Sequence, residues 1–462
     1  MRNKFLTLSL FAALLISCGS PSGEISIFPD YRDVTVPCNV APLNFHYSGD
    51  GANRANTTFS SGDKTFCIRG SKVVIPCDKW EELKGRDTIK VSSSLLGDWT
   101  IAVSSDSVDR YLTYRLIEPG YEVWDRVEIV ERDLSCFSER VLSSHRNTAN
   151  SCMNCHIHKG ERSMFYLRGD KGGAILNDKG NVRKLNLRTD DMISGTVYGD
   201  LHPDGRWGIF STNIIIPGFH TLAENRLEIY DTASDLTVAD FADNRMLNSK
   251  EFAREDRFET FPCFSADGRS VFFCCADTVS LPTDIKNLKY SILRADFDSA
   301  TGKLGPETTV VWDAAEHNAS ACHPKASPDG KWLMFTVADY GTFPIWHREC
   351  DLRLLDLRTG EISNLETVNS DVSDTYHSWS SNGRWFVFAS KRDDGQYGKP
   401  FLCHIDEDGN VSRPFVVPQE DPCHYEKTLK SYNIPDLGPT PAPYDYIKTG
   451  DLRDNSEAEP FK

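Results

Sequence analysis

The chain has 462 residues, enough for more than one domain with its own core. Its 39% hydrophobic and 11% aromatic content is that of a folded globular protein. A formal net charge of -16 argues against nucleic acid or an anionic membrane surface as partner, and fits solubility or a basic redox partner.

Arg2 and Lys4 precede an apolar run over residues 5–16, too short to span a membrane but laid out as a signal peptide. Leu15-Ile16-Ser17-Cys18 has the lipobox pattern, so residues 1–17 read as a lipoprotein signal peptide and Cys18 as the acylated mature N-terminus. The rival is an ordinary signal peptide cut nearby, with Cys18 incidental. Residues 18–23 are rich in Gly and Ser, as a flexible tether would be. Gly19 is not the acidic residue of an inner-membrane retention signal. The expected location is therefore the periplasmic side of the envelope, at the outer membrane rather than the inner, held by the lipid anchor only. No later run reaches the length of a membrane helix.

Residues 24–133 carry short alternating runs such as Ser71-Lys72-Val73-Val74-Ile75-Pro76 and Thr100-Ile101-Ala102-Val103, which read as strands of a β-sandwich-like module. In an exported protein Cys38, Cys67, Cys77 and Cys136 could cross-link it. Setting Cys18, Cys152 and Cys155 aside leaves an odd number of cysteines, so at least one stays free or pairs outside the chain. Cys274-Cys275, on an apolar run, reads as two buried small hydrophobes.

Residues 134–162 contain the motif richest in chemistry. A short helical stretch over residues 135–146 leads to Cys152-Met153-Asn154-Cys155-His156, a complete C-x-x-C-H. In covalent c-type haem attachment two thiols add to the two porphyrin vinyl groups, and the next residue places an imidazole under the iron. The other readings are a thioredoxin-like pair, which lacks its βαβ setting, and half a zinc site, which lacks a second ligand pair. Export and C-x-x-C-H support each other, because c-type haem matures on the exported side of bacterial membranes. Cys152, Cys155 and His156 are thus the expected haem c ligands, with Met164 as a candidate sixth ligand. A core methionine is the blander reading of Met164. His158, His145, Met192 and His202 are the other nearby candidates, His158 being too close to His156 to reach the opposite face. The segment is too short to wrap a porphyrin in helices, so haem would have to pack between the β-module and the repeat region that begins at residue 163.

Residues 163–420 hold a repeat. Pro203-Asp204-Gly205-Arg206-Trp207 recurs as Ser265-Ala266-Asp267-Gly268-Arg269, Ser327-Pro328-Asp329-Gly330-Lys331 and Ser381-Asn382-Gly383-Arg384, each followed by an apolar strand. The glycines are spaced by 63, 62 and 53 residues. Strand, tight turn and alternating strand at this period predict the blades of a β-propeller, five or six of them. Residues 421–462 read as a C-terminal tail. The expected fold class is therefore all-β.

The repeat resembles the TolB-type, WD-like propeller repeat, most closely at Ala326-Ser327-Pro328-Asp329-Gly330-Lys331. Over nearly the whole mature chain the sequence resembles exported bacterial lipoproteins that join a β-module, one C-x-x-C-H and a TolB-like propeller, and that are cytochrome c-related. The likeness is carried by residues 111–121, by the C-x-x-C-H, and by Phe258-Glu259-Thr260-Phe261-Pro262. It implies architecture more than activity.

Residues just ahead of the repeat turns, including Tyr198, His202, Cys263, Cys322, His323, Tyr376 and His377, are expected on the inner strands facing the propeller channel. Such a channel could take a metal or small ligand, or could be ordinary inter-blade packing. No Gly-x-Ser-x-Gly elbow, His-Glu-x-x-His or phosphate loop occurs. The expected function is a lipid-anchored mono-haem c protein for electron transfer or small-ligand sensing, with envelope proteins or a redox protein as partner. The alternative is a propeller scaffold in an envelope complex, with a structural or vestigial cysteine motif. An enzyme acting in the propeller mouth lacks a nucleophile with its base.

Overall fold

The computed structural model describes residues 23–118, 126–147, 153, 156–219 and 227–462. Cys18, Cys152 and Cys155 lie outside the described residues.

Six sheets of four or five strands surround one axis, each inner strand packed beside the next and the last beside the first. Blade 1 runs outward through Ile157–Lys159, Arg162–Leu167, Gly173–Asp178 and Asn181–Asn186, and gains Glu459–Pro460 as a parallel fifth strand. Blades 2 to 5 start at the inner strands Thr196–Leu201, Arg257–Phe264, Ser320–Ala326 and Asp374–Trp379. The sixth blade joins the two ends of the chain. Its inner strand is Ser431–Gly438, and its outer strands are Tyr111–Ile117, Val127–Asp133 and Glu139–Ser144.

The repeated turn has a local cause. Ser265 Oγ donates to Asp267 Oδ1 at 2.6 Å and accepts from Ser270 N at 3.0 Å. Ser327 does the same toward Asp329 and Trp332. The glycine that follows the aspartate takes φ of +71° at both Gly268 and Gly330, where a side chain would be strained.

Three expectations change. Residues 135–146 form no α-helix; they hold the strand Glu139–Ser144, paired to its neighbour through Arg140, Val141, Ser143 and Ser144 with Leu142 bulged, before a single 3-10 turn at His145–Asn147. The 24–133 span divides, because Tyr111–Ile117 and Val127–Asp133 belong to a sheet completed by the C-terminal strand rather than by the module before them. The tail 421–462 consequently supplies an inner propeller strand, and the blade number is six.

What remains of the N-terminal module is a five-stranded and a three-stranded sheet with the helix Cys77–Leu83. Thr88–Ser93 alternates exposed and buried positions, as a strand with one face on a core should. Its core, including Phe45, Trp80 and Trp99, is continuous with Trp385, Phe386 and Phe388 of blade 5. All eleven cysteines among the described residues are free thiols, so Cys38, Cys67, Cys77 and Cys136 form no cross-links here. Cys274 and Cys275 are buried. Among the described residues no helix is long and apolar enough to cross a membrane.

Candidate functional site

The inner strands do not run straight past the axis. Their pairing slips between Thr260 and Cys263, Cys322 and Lys325, Thr375 and Ser378, and Asn433 and Asp436. Within those gaps Phe261, His323, Tyr376 and Ile434 adopt φ of 49°, 53°, 49° and 52°. A left-handed non-glycine residue costs roughly 1–2 kcal/mol, so four at matching places mark a bulge that the fold maintains on purpose. Pro262, Pro324 and Pro435 follow three of them, and at a bulge a missing N–H breaks no ladder bond.

The bulges turn side chains into a channel lined by His156, Tyr198, Phe261, His323, Tyr376 and His377, with Lys325, Ile434 and Asp436 further along. Rings follow one another around it: Tyr198 to Phe261 at 4.4 Å between centroids, Phe261 to His323 at 4.2 Å, and His323 to Tyr376 at 4.5 Å. The imidazoles are neutral. Burial holds His156 well below the usual range, helped by nearby His158 and Arg115. Burial also holds His323 well below it, with His377 and Lys325 adding to the effect, and brings His377 down to about 3. His377 Nε2 meets Met334 O at 2.9 Å, whereas neither ring nitrogen of His323 has a hydrogen-bond partner and those of His156 have only poorly aligned ones, on the Ile434 and Thr113 backbone.

Charge gathers on the same inner strands. Lys159 Nζ lies 2.9 Å from Asp200 Oδ2, joining blades 1 and 2. Burial opposes ionisation of Asp200, but Lys159 and Lys325 outweigh it and hold the carboxyl below its ordinary value. Asp436 is pushed up to about 6 by burial, with Lys325 opposing. His156 Nε2 stands 3.9 Å from Asp436 Oδ2, beyond hydrogen-bond range.

Of the expected ligands, His156 lines the channel with its side chain 2% exposed. Met164 does not line it. It is fully buried among Ile157, Tyr166 and Leu176 in the apolar contact between blades 1 and 2. Met192 belongs to that same cluster, and His202 Nε2 donates to Gly268 O at 3.0 Å. His158 turns to Thr113 of blade 6 and is brought down to about 4 by burial. Cys263, expected in the channel, is instead packed between blades, and Cys322 is buried with its thiol toward Gly341 O at 3.7 Å. Phe261, Lys325, Ile434 and Asp436 went unread. The bulge prolines Pro262 and Pro324 were the signal for the first two, and Asp436 lacks a repeat turn to announce it.

A proximal haem ligand must be an unprotonated imidazole with a nitrogen to give, and His156 meets that requirement. The space open inside the channel, about 60 Å³, takes a few water-sized groups and is far too small for a porphyrin ring. The donor therefore fits an iron, but a porphyrin on His156 would require the packing around the channel to open. Among the described residues no three His, Cys, Asp or Glu ligand atoms converge in the channel.

No family model matches the chain, and no curated protein matches it. Among solved structures it is similar to TolB from Acinetobacter baumannii, at 13% identity and a TM-score of 0.43, over 79% of this chain and 86% of that one. It is also similar to an oligogalacturonate lyase in complex with manganese, at 16% identity and a TM-score of 0.37, over 67% and 74%. A putative 6-phosphogluconolactonase from Bacteroides uniformis is 12% identical with a TM-score of 0.35, over 80% and 98%. Six sheets, five of four strands and one of five, about one channel make this chain a β-propeller protein.

Proposed function

We propose that this chain is a lipid-anchored envelope protein that carries one covalent c-type haem on its propeller, with His156 as proximal ligand, and that it passes electrons or senses a small ligand. The observation that carries the reading is His156 itself: a buried, neutral imidazole whose nitrogens make no hydrogen bond of good geometry, with only the Ile434 and Thr113 backbone nearby, directly after Cys-x-x-Cys. A buried polar group without a partner costs about 1–3 kcal/mol, and a ligand bond would remove that cost. Bound haem would supply a one-electron iron couple or an open coordination position. Cys152 and Cys155 would hold it through thioethers. His156 keeps its lone pair at neutral pH because burial disfavours the imidazolium. Tyr198, Phe261, His323 and Tyr376 pack ring against ring in the same channel and restrict water there. Partners would be a redox protein or other envelope proteins.

Haem staining of the denatured protein tests the assignment, because only covalent haem survives denaturation. Protein from a host with intact c-haem maturation should stain, and the Cys152→Ser/Cys155→Ser double variant should not. An unstained wild type removes the reading. For the anchor, Cys18→Ser should leave the precursor uncleaved or move the protein to the soluble fraction. Unchanged mature mass and membrane sedimentation would refute it.

The scaffold alternative is favoured by one feature. In blade 2 the strands Trp207–Phe219 and Leu227–Asp240 form an arm on which Ile214, Ile215 and Ile216 are exposed in succession. If that arm holds a partner, Ile214→Ser/Ile216→Ser should abolish its recovery from solubilised membranes, while the cysteine double variant should not.

A further inference from the structure

Away from the channel, the N-terminal module rests on the segment that leaves blade 5. His46 lies on the strand Phe45–Ser48; Cys423 precedes, and Glu426 belongs to, the helical turn His424–Lys427. One imidazole nitrogen, the thiol sulfur and one carboxylate oxygen of these three all lie within 4.8 Å of one another. The His46 side chain is 10% exposed, and its Nε2 stands 2.8 Å from Glu426 Oε2. That nitrogen nonetheless has no hydrogen bond, because the oxygen falls outside hydrogen-bond geometry. Two donors this close and not aligned on a shared proton are disposed as neighbours around a common cation. The surroundings hold them in place. Asn44, two residues before His46, donates to the carbonyls of Gln419 and Glu420 at 3.2 and 3.1 Å. Cys423 N donates to Asp421 Oδ1 at 3.1 Å, and the His46 ring meets Phe28 edge-on.

We propose that His46, Cys423 and Glu426 bind one zinc ion, which clips the N-terminal module to the chain's C-terminal segment. Imidazole, thiolate and carboxylate are zinc's own ligand types, at about 2.0–2.3 Å from the metal. A thiolate with an imidazole selects zinc over magnesium or calcium, which prefer all-oxygen shells. Tetrahedral bonds of those lengths put ligand atoms roughly 3.3–3.6 Å apart, within the span seen here. Glu426, 48% exposed, is free to make the small adjustment. Its exposure also leaves the fourth position to water. On binding, the Cys423 thiol gives its proton to solvent, and sulfur, nitrogen and oxygen each contribute a lone pair. No redox change is involved. The three ligands come from positions almost four hundred residues apart in the chain, so zinc would tie together segments that only tertiary contacts now join.

The test uses the full chain, matured as expressed and free of any histidine tag, stripped with chelator and titrated with zinc chloride alone. Expected are one zinc per chain, a melting temperature that rises with zinc concentration, and one sulfur in the zinc X-ray absorption shell at about 2.3 Å. Cys423→Ser should lose the sulfur and weaken zinc by more than the roughly 10–100-fold that loss of an outer-shell partner costs. Glu426→Ala, a change at an exposed position, should weaken it without unfolding the protein. A wild type that retains less than one zinc, or a zinc affinity unchanged in Glu426→Ala, overturns the proposal even if Cys423→Ser fails to fold.

Discussion

His347 Nε2 faces Glu228 Oε2 at 3.5 Å, with both side chains 2% exposed, and so ties the loop ahead of blade 4's third strand to the third strand of blade 2 across the propeller. His347 Nδ1 meets Glu349 at 3.0 Å, and the Tyr340 ring packs on the imidazole at 4.5 Å. Burial opposes the charged imidazole, but Glu228 and Glu349 outweigh it and bring His347 up from 6.5 to about 9. Folding therefore favours proton uptake. The stabilisation is complete below pH 6.5 and is lost as pH rises through about 9, by at most about 3 kcal/mol. Tyr340, at about 12, does not titrate in that window. Urea unfolding between pH 6 and 9.5 should show the decline, and His347→Gln should flatten it. An equal decline in the variant would mean that other groups cause it.

The sixth blade predicts how the protein responds to truncation. Ending the chain at residue 430 removes Ser431–Gly438, strips the inner edge of Tyr111–Ile117, and takes away Tyr432, whose ring lies 4.9 Å from Tyr114. Such a chain should be insoluble or lack a cooperative unfolding transition. Ending at residue 456 removes the strand Glu459–Pro460 with its Arg183–Glu459 pair, the buried Phe461 and the Lys462 backbone bonds to Asn244 and Met246, and should cost about 3–5 kcal/mol or more while leaving the fold. A soluble, cooperatively unfolding 1–430 chain would refute ring closure by this strand.

The same strand shows where the sequence was readable and where it was not. Blades 2 to 5 announced themselves because each pairs neighbouring strands through a local Ser-x-Asp-Gly or related turn, chemistry confined to six residues. Blade 6 has no such turn between its inner strand and its partner, since Leu437 pairs with Leu112 from the other end of the chain. Pattern alone assigned Tyr111–Ile117 to the module that precedes it. Residues 135–146 looked helical because Glu139, Arg140 and Ser143 do not favour a strand; pairing with Val127–Asp133 decides the outcome. His156 was legible from its motif. The bulges that line its channel are marked in the sequence only by Pro262, Pro324 and Pro435, and the surroundings of the His156 ring are a tertiary property without a sequence signature.

Lys159 and Asp200 join blades 1 and 2 beside the channel, and about 30% of the lysine side chain stays exposed against 3% of the aspartate. Breaking a fully buried pair costs about 3–5 kcal/mol; the wetted ammonium should reduce this to about 1–3 kcal/mol for Asp200→Asn. Asp200 also accepts from Phe264 N at 3.0 Å, so the loss reaches blade 3. Lys159→Met combined with Asp200→Asn should recover part of the stability, because no unpaired charge is left. A double-mutant cycle by urea unfolding checks this, and strict additivity would show that the pair does not couple.

Trp385 is where the N-terminal module and the propeller share one core. Its side chain is fully buried, its Nε1 donates to Asp106 O at 2.9 Å, and the His404 ring packs on it at 4.8 Å between centroids. Beside it Asp109 accepts from Ser381 N and Oγ at 2.9 and 2.6 Å. Trp385→Ala opens a cavity on both sides of that boundary and should cost about 3–5 kcal/mol. Trp385→Phe keeps most of the packing but orphans the Asp106 carbonyl, for about 1–3 kcal/mol. The two variants should be ordered by urea midpoint, wild type above Phe above Ala. Limited proteolysis of Trp385→Ala should then cut first in the module, whose contact with blade 5 is weakened. A loss below about 1 kcal/mol in Trp385→Ala, with unchanged proteolysis, would mean that the module and the propeller do not depend on a common core.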